Sequence, residues 1–123
     1  MPAVQTVQAK GFAAPDDVRL FEGRGRAEMV LVAGRLVGRG VFEPGWRWSV
    51  NAKPLAGTDS CQATHFGYCV SGRMRIEMDD GSTLEIGPEQ VFMIPPGHDA
   101  QVLGDEPCVL IDFGDIEDYA RRS

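Results

Sequence analysis

The sequence predicts an all-β domain, and three observations carry that expectation. Short apolar or alternating runs are broken by turn residues about every 8–12 positions, the rhythm of a sandwich or barrel. Fifteen glycines and eight prolines among 123 residues supply those turns, well above average usage. The alanine- and leucine-rich composition of a helical bundle is missing, while hydrophobic residues at 43% suffice for a core. The length is that of one domain, and no internal repeat or low-complexity stretch divides it.

Taken in order, residues 1–17 mix polar residues with Pro2 and Pro15 and read as an N-terminal arm. The barrel proper is expected over 18–114, with strand runs at 18–21, 28–33, 36–42, 46–50, 62–70, 73–78, 83–86, 91–94, 100–103 and 109–113. Arg73-Met74-Arg75-Ile76-Glu77-Met78 alternates strictly, so Met74, Ile76 and Met78 face a core while the charged residues face water. Asp80-Gly81 then turns the chain back into 83–86. Pro95-Pro96-Gly97 ends the run at 91–94, because proline cannot donate to a ladder. Residues 115–123 form a C-terminal tail, either one helical turn begun by Asp115 or a frayed end.

Eighteen acidic against twelve basic residues give a net charge of −6, which argues against nucleic acid or an anionic membrane as the main partner. No apolar run approaches the ~20 residues of a membrane span. The first twelve residues lack the apolar stretch of a signal peptide, so the cytoplasm is the expected location. Charge is uneven: residues 1–50 hold seven bases and five acids, and 51–123 hold five bases and thirteen acids. Such a split either pairs subunits, steers ligands or is simply a solvated surface. Cys61, Cys69 and Cys108 are an odd set without CxxC spacing, unlike a disulfide framework or a zinc knuckle. Cys69 and Cys108 sit in apolar runs and are expected as small buried hydrophobes.

Val70-Ser71-Gly72-Arg73-Met74, Asp79-Asp80-Gly81, Gly87-Pro88-Glu89 and Ile94-Pro95-Pro96-Gly97 together resemble the cupin superfamily over about residues 40–113. Pro44-Gly45-Trp46-Arg47-Trp48-Ser49, Gly57-Thr58-Asp59-Ser60-Cys61 and Pro96-Gly97-His98-Asp99-Ala100 are similar to short bacterial cupins. The resemblance implies a cupin-type jelly-roll β-barrel with a metal held by three histidines and a glutamate on two neighbouring hairpins. It carries over with replacements. His65 stands where the glutamate would be, and Cys61 and Asp59 stand where the paired histidines would be. Ala100 occupies the last histidine position, with His98 two residues before it, and Glu89 replaces the glycine that opens the second motif.

Side chains alternate along a strand, so positions 59, 61, 63 and 65 share one face if no bulge intervenes, and 98 has the parity of 100. Asp59, Cys61, His65 and His98 are thus the candidate ligands for one divalent metal ion (Zn, Fe, Mn or Ni), a chemically acceptable donor set. The alternative is a metal-free pocket in which the histidines are hydrogen-bonding or pH-sensitive groups. Trp46 and Trp48 either wall a ligand cavity or are plain core aromatics, with Arg47 or Lys53 meeting a carboxylate or phosphate in the first case. Gln62 and Tyr68 are candidate hydrogen-bond donors, and Asp99 either orients His98 or is a turn residue.

Three functions follow: a module binding a small organic molecule, a metal-dependent enzyme of the oxygenase or isomerase type using His65 and His98, or an accessory protein working through its surface. The resemblance further implies a homodimer, paired through barrel edges or through the arm before Val18.

Overall fold

A computed structural model describes residues 6–117 and Tyr119. Nine strands and two single-turn helices follow one another: β1 (Asp17–Leu20), β2 (Gly25–Val32), β3 (Arg35–Phe42), α1 (Trp48–Asn51), α2 (Lys53–Ala56), β4 (His65–Ser71), β5 (Arg73–Met78), β6 (Thr83–Ile86), β7 (Val91–Ile94), β8 (His98–Leu103) and β9 (Cys108–Asp112). They form a six-stranded sheet in the order β1-β2-β3-β9-β4-β7 and a three-stranded sheet in the order β6-β5-β8. Every strand pair is antiparallel. This is an all-β jelly roll.

Period-two alternation positions the core. In β4 His65, Gly67 and Cys69 are buried while Phe66, Tyr68 and Val70 are exposed; in β5 Met74 and Ile76 are buried between exposed charges. Ala27, Met29, Phe42, Phe92 and Leu110 of the large sheet meet Met74, Ile76, Ala100 and Val102 of the small one in a single apolar cluster. Gly72 makes the turn from β4 to β5 at φ 76°, and a Cβ there would lie 2.4 Å from the Pro107 carbonyl oxygen. Only glycine fits that turn. Cys69 and Cys108 are free thiols and fully buried.

Two expectations need correction. The run at 46–50 is not a strand: Arg47 makes one isolated bridge to Gln101, and the chain then coils into α1. The Asn51 side-chain oxygen accepts the Arg47 backbone N–H at 2.9 Å, and the Asp99 carboxylate accepts that of Ser49 at 3.0 Å. Those side chains take the N–H groups that a ladder would use. The run at 62–70 becomes strand only at His65, because residues 58–62 bond locally: Thr58 Oγ1 donates to Ser60 O, and Gln62 Nε2 to Ser60 Oγ. Beyond β9 the described residues are 113–117 and Tyr119. Ile116 is 2% exposed and packs in the core cluster with Tyr119 beside it. The helical turn expected from Asp115 runs partly outside the described residues, and none forms over 113–117.

Candidate metal centre and cavity

The two sheets enclose a cavity lined by Met29, Trp46, Trp48, Ile76, Phe92 and Tyr119, among others, with His65 and His98 in its wall. The volume open to the centres of water-sized molecules is about 40 Å³. One water needs about 10–15 Å³ by this measure, so the cavity has room for an ion and a ligand of a few heavy atoms.

His65, at the start of β4, and His98, at the start of β8, reach the cavity from opposite sheets, their ring centroids 5.3 Å apart. Cys61 joins them through an isolated bridge: its N–H donates to His98 O at 2.7 Å, and its carbonyl accepts from Gly97 N–H at 2.7 Å. One ligand atom from each of Cys61, His65 and His98 lies within 4.8 Å of the others, and all three residues are buried.

Both imidazoles are held from behind. His65 Nδ1–H donates to the Asp112 carboxylate at 2.5 Å. His98 Nδ1–H donates to the Pro95 carbonyl at 2.8 Å. Each bond places the ring proton on Nδ1 and leaves the Nε2 lone pair free when the ring is neutral, which is how metal-ligating histidines are fixed. Cys61 Sγ lies 3.6 Å from His65 Nε2.

Electrostatics couple the thiol to the ring. Burial pushes the Cys61 thiol up, but hydrogen bonds and charge from His65 and His98 outweigh it and bring it down to about 6. Burial likewise pushes His65 down, and hydrogen bonds to Asp112 and Cys61 overcome it, raising the imidazole to about 9. Without metal the pair is therefore thiolate beside imidazolium at neutral pH. Burial, then the charges of Cys61 and Asp112, push the Tyr119 phenol well up. Its ring stands edge-on to His65, with centroids 4.9 Å apart.

The donor set fits a divalent ion. A tetrahedral Zn²⁺ at ~2.3 Å from sulfur and ~2.0–2.1 Å from nitrogen keeps S and N about 3.6 Å apart, the separation found between Cys61 and His65. The Trp46 Nε1–H, in the wall of the same cavity, is buried without an acceptor among the described residues. A buried donor left unpaired costs about 1–3 kcal/mol, which a ligand or water oxygen would relieve.

Six expected residues stand away from the cavity lining. The Asp59 side chain is fully exposed and lies 3.8 Å from Lys53 Nζ, which projects from α2. Strand alternation does not extend to 59, because 58–60 is a turn. Gln62 is exposed, and Tyr68 is three residues from His65 and hence on the opposite face of β4. Arg47 and Asp99 do come together, Nε to Oδ2 at 3.1 Å, but on the outer side of the small sheet beside Arg75 and Gln101. Asp99 does not orient His98; the Pro95 carbonyl does. Three residues escaped the reading of the sequence: Asp112, Ile116 and Tyr119. The signal for Asp112 was an acid at inward parity closing the apolar run from Val109.

No family model matches the sequence, and no curated protein does. Solved structures do match in fold. An RmlC-like cupin from Shewanella frigidimarina is 16% identical with a TM-score of 0.59, over 94% of this chain and 97% of that one. The chain has the cupin fold. Oxalate decarboxylase from Bacillus subtilis matches this cupin barrel at 20% identity and TM-score 0.61, over 91% of this chain and 31% of that one. The polyketide cyclase RemF from Streptomyces resistomycificus matches at 15% and 0.63, over 91% and 81% respectively. Against the metal motif of cupins, this barrel presents Cys61 and His65 on one side and His98, rather than residue 100, on the other.

Proposed function

We propose that this cupin binds one divalent metal ion through Cys61, His65 and His98, together with a small oxygen-bearing organic ligand in the cavity beside it. The observation that carries the reading is the convergence of three buried donor atoms within 4.8 Å, with both imidazoles held at Nδ1. Three protein ligands leave a fourth position open, the pattern of a reactive rather than a structural site. A thiolate with two imidazoles favours Zn²⁺, Fe²⁺ or Ni²⁺ over Mn²⁺, which prefers carboxylate oxygens.

A bound metal would supply Lewis acidity toward a ligand oxygen. The chain's own residues do the rest. Asp112 and Pro95 O fix the two rings, Trp46 Nε1–H donates to the ligand oxygen, and the aromatic walls keep bulk water out. About 40 Å³ of free space limits the ligand to a few heavy atoms. The reading also takes the working unit to be a homodimer.

The test is metal analysis of protein purified without a His-tag, stripped and reloaded with Zn²⁺. One equivalent retained by the wild type and lost in His65→Ala and His98→Ala supports the site, whereas no retained metal overturns it.

A second reading is favoured by the order Cys61–His65–Asp112, the arrangement of a nucleophile, a base and the acid that orients it. Covalent labelling of Cys61 by a substrate-like electrophile, in protein that retains no metal, would favour this reading over the first.

A further inference from the structure

The cavity is short of positive charge. Its lining holds Arg39, Asp112 and the two histidines, and otherwise only apolar residues, glycine, Trp46, Trp48 and Tyr119. Arg39 does not bring its charge inside. It lies between Gly38 and Gly40 on β3, and those two glycines mark the inner side of the strand. A Cβ on Gly38 would meet Ile116 and Met29, and one on Gly40 would meet the Phe42 ring. Alternation turns Arg39 to the other side, where Glu28 holds its guanidinium at 2.8 Å and the Phe12 ring lies 4.9 Å away. The buried Arg19 stands behind the wall and donates to the Ile116 and Tyr119 carbonyls. Arg47 pairs with Asp99 on the outer side of the small sheet. Among the described residues, no lysine or arginine side chain faces the cavity.

Negative charge enters twice. Cys61 ligates as a thiolate, and both histidines ligate in their neutral form. The Asp112 carboxylate stands directly behind His65 and is held there by the Phe66 and Gly114 N–H groups at 3.3 and 2.8 Å. One thiolate and one carboxylate cancel the charge of a divalent ion. A carboxylate ligand would then add a negative charge that nothing in the wall pairs, and an apolar wall resists burial of an unpaired charge. An uncharged oxygen compound adds none. Its oxygen has lone pairs for the open coordination position and for the Trp46 Nε1–H, which is buried without an acceptor among the described residues. The apolar wall covers the remainder.

We infer that the cavity takes a small uncharged oxygen compound, a carbonyl compound or an alcohol, and discriminates against carboxylates of the same size. This rests on the metal site of the proposed function and adds the charge class of its ligand. The discrimination comes from charge and not from shape. Acetamide and acetate share one planar shape and one count of heavy atoms, so the pair isolates it. Two side chains set the balance, Cys61 as a ligand and Asp112 through His65. Removing the negative charge of either gives the site room for an anion.

The test is titration of the Co²⁺-loaded full chain with acetamide and with acetate at neutral pH, followed by the visible cobalt bands, with bound cobalt measured in every sample. The proteins are wild type, Asp112→Asn, which keeps an acceptor for His65 but not the charge, and Cys61→Ser, which removes the thiolate. Wild type is expected to bind acetamide at least ~10-fold more tightly than acetate, since one uncompensated charge at close range is worth that much. In each variant that holds cobalt, the ratio is expected to move toward acetate by at least ~10-fold. A wild type that holds cobalt and binds acetate as tightly as acetamide, or binds neither, overturns the uncharged ligand and spares the metal site. A ratio that the variants leave unmoved overturns charge as its cause. A wild type that holds no cobalt overturns both the ligand and the metal site.

Discussion

The Asp112 carboxylate accepts the Nδ1–H of His65 at 2.5 Å, so that His65 Nε2 stands 3.6 Å from Cys61 Sγ. A residue at the end of β9 thereby fixes the orientation of a side chain on β4 for a donor that lies in the loop before it. Three separate parts of the chain are set by one hydrogen bond.

Replacing Asp112 therefore acts on metal affinity without removing a ligand. Asp112→Asn keeps an acceptor for Nδ1–H but loses the charge that raises the basicity of the ring. Loss of such a supporting partner typically costs 10–100-fold in metal affinity, and about that weakening is expected in a titration against a competing chelator. Wild-type affinity in Asp112→Asn would mean that Asp112 does not support the metal ligand His65.

The metal-free protein has a distinctive pH response. Cys61 is lowered from 9.0 to about 6, so it contributes stability that is complete above 9 and lost as pH falls through 6. His65 is raised from 6.5 to about 9, so its contribution is complete below 6.5 and lost as pH rises through 9. Between 6.5 and 9 the two slopes oppose and cancel. Cys61→Ser leaves only that of His65, sustained by Asp112. The melting temperature of Cys61→Ser, relative to wild type, is expected to fall as pH is raised across this window; a constant difference would contradict the ion pair.

Ile116 lines the cavity. A Cβ on Gly38 would lie 2.8 Å from its Cδ1, so the glycine makes the notch in which Ile116 sits. Arg19, itself buried, donates from Nη1 to the carbonyls of Ile116 and Tyr119 at 2.8 and 2.7 Å and clamps the segment. Ile116→Ala is expected to cost about 2–5 kcal/mol in denaturant unfolding and to speed alkylation of Cys61 by iodoacetamide. Unchanged alkylation would mean that the segment does not control access.

Asp59 and Lys53 serve as negative controls. Their ion pair is solvent-exposed at 3.8 Å, and pairs of that kind contribute little. Asp59→Asn and Lys53→Ala are expected to leave metal affinity and the unfolding midpoint at wild-type values. A loss of metal in Asp59→Asn would restore the carboxylate as a ligand.

Much of the barrel was legible because strand alternation and turn chemistry are local. Met74, Ile76 and Met78 against Arg73, Arg75 and Glu77 specify one face of β5, and Pro95-Pro96-Gly97 specifies where β7 ends. That turn also supplies the Pro95 carbonyl that fixes His98. Two parts of the site were hidden for different reasons. Side-chain bonds made by Ser60, Gln62 and Asn51 override the strand pattern at 46–50 and 58–62, so face counting misplaced Asp59. Asp112, Ile116 and Tyr119 reach the cavity through contacts with residues roughly fifty to a hundred positions away, which no local pattern encodes. His65 and His98 stood out because they are the two histidines of the chain and each fell at or beside a motif position.

A metal centre of one thiolate and two imidazoles is read out by the absorption spectrum of the Co²⁺-loaded protein. Intense visible bands of a four-coordinate ion and a near-ultraviolet thiolate-to-cobalt band, saturating at one equivalent, are expected. Cys61→Ser should lose the thiolate band, and His65→Ala and His98→Ala should lose the bound ion. A weak six-coordinate spectrum with no thiolate band in the wild type would contradict it.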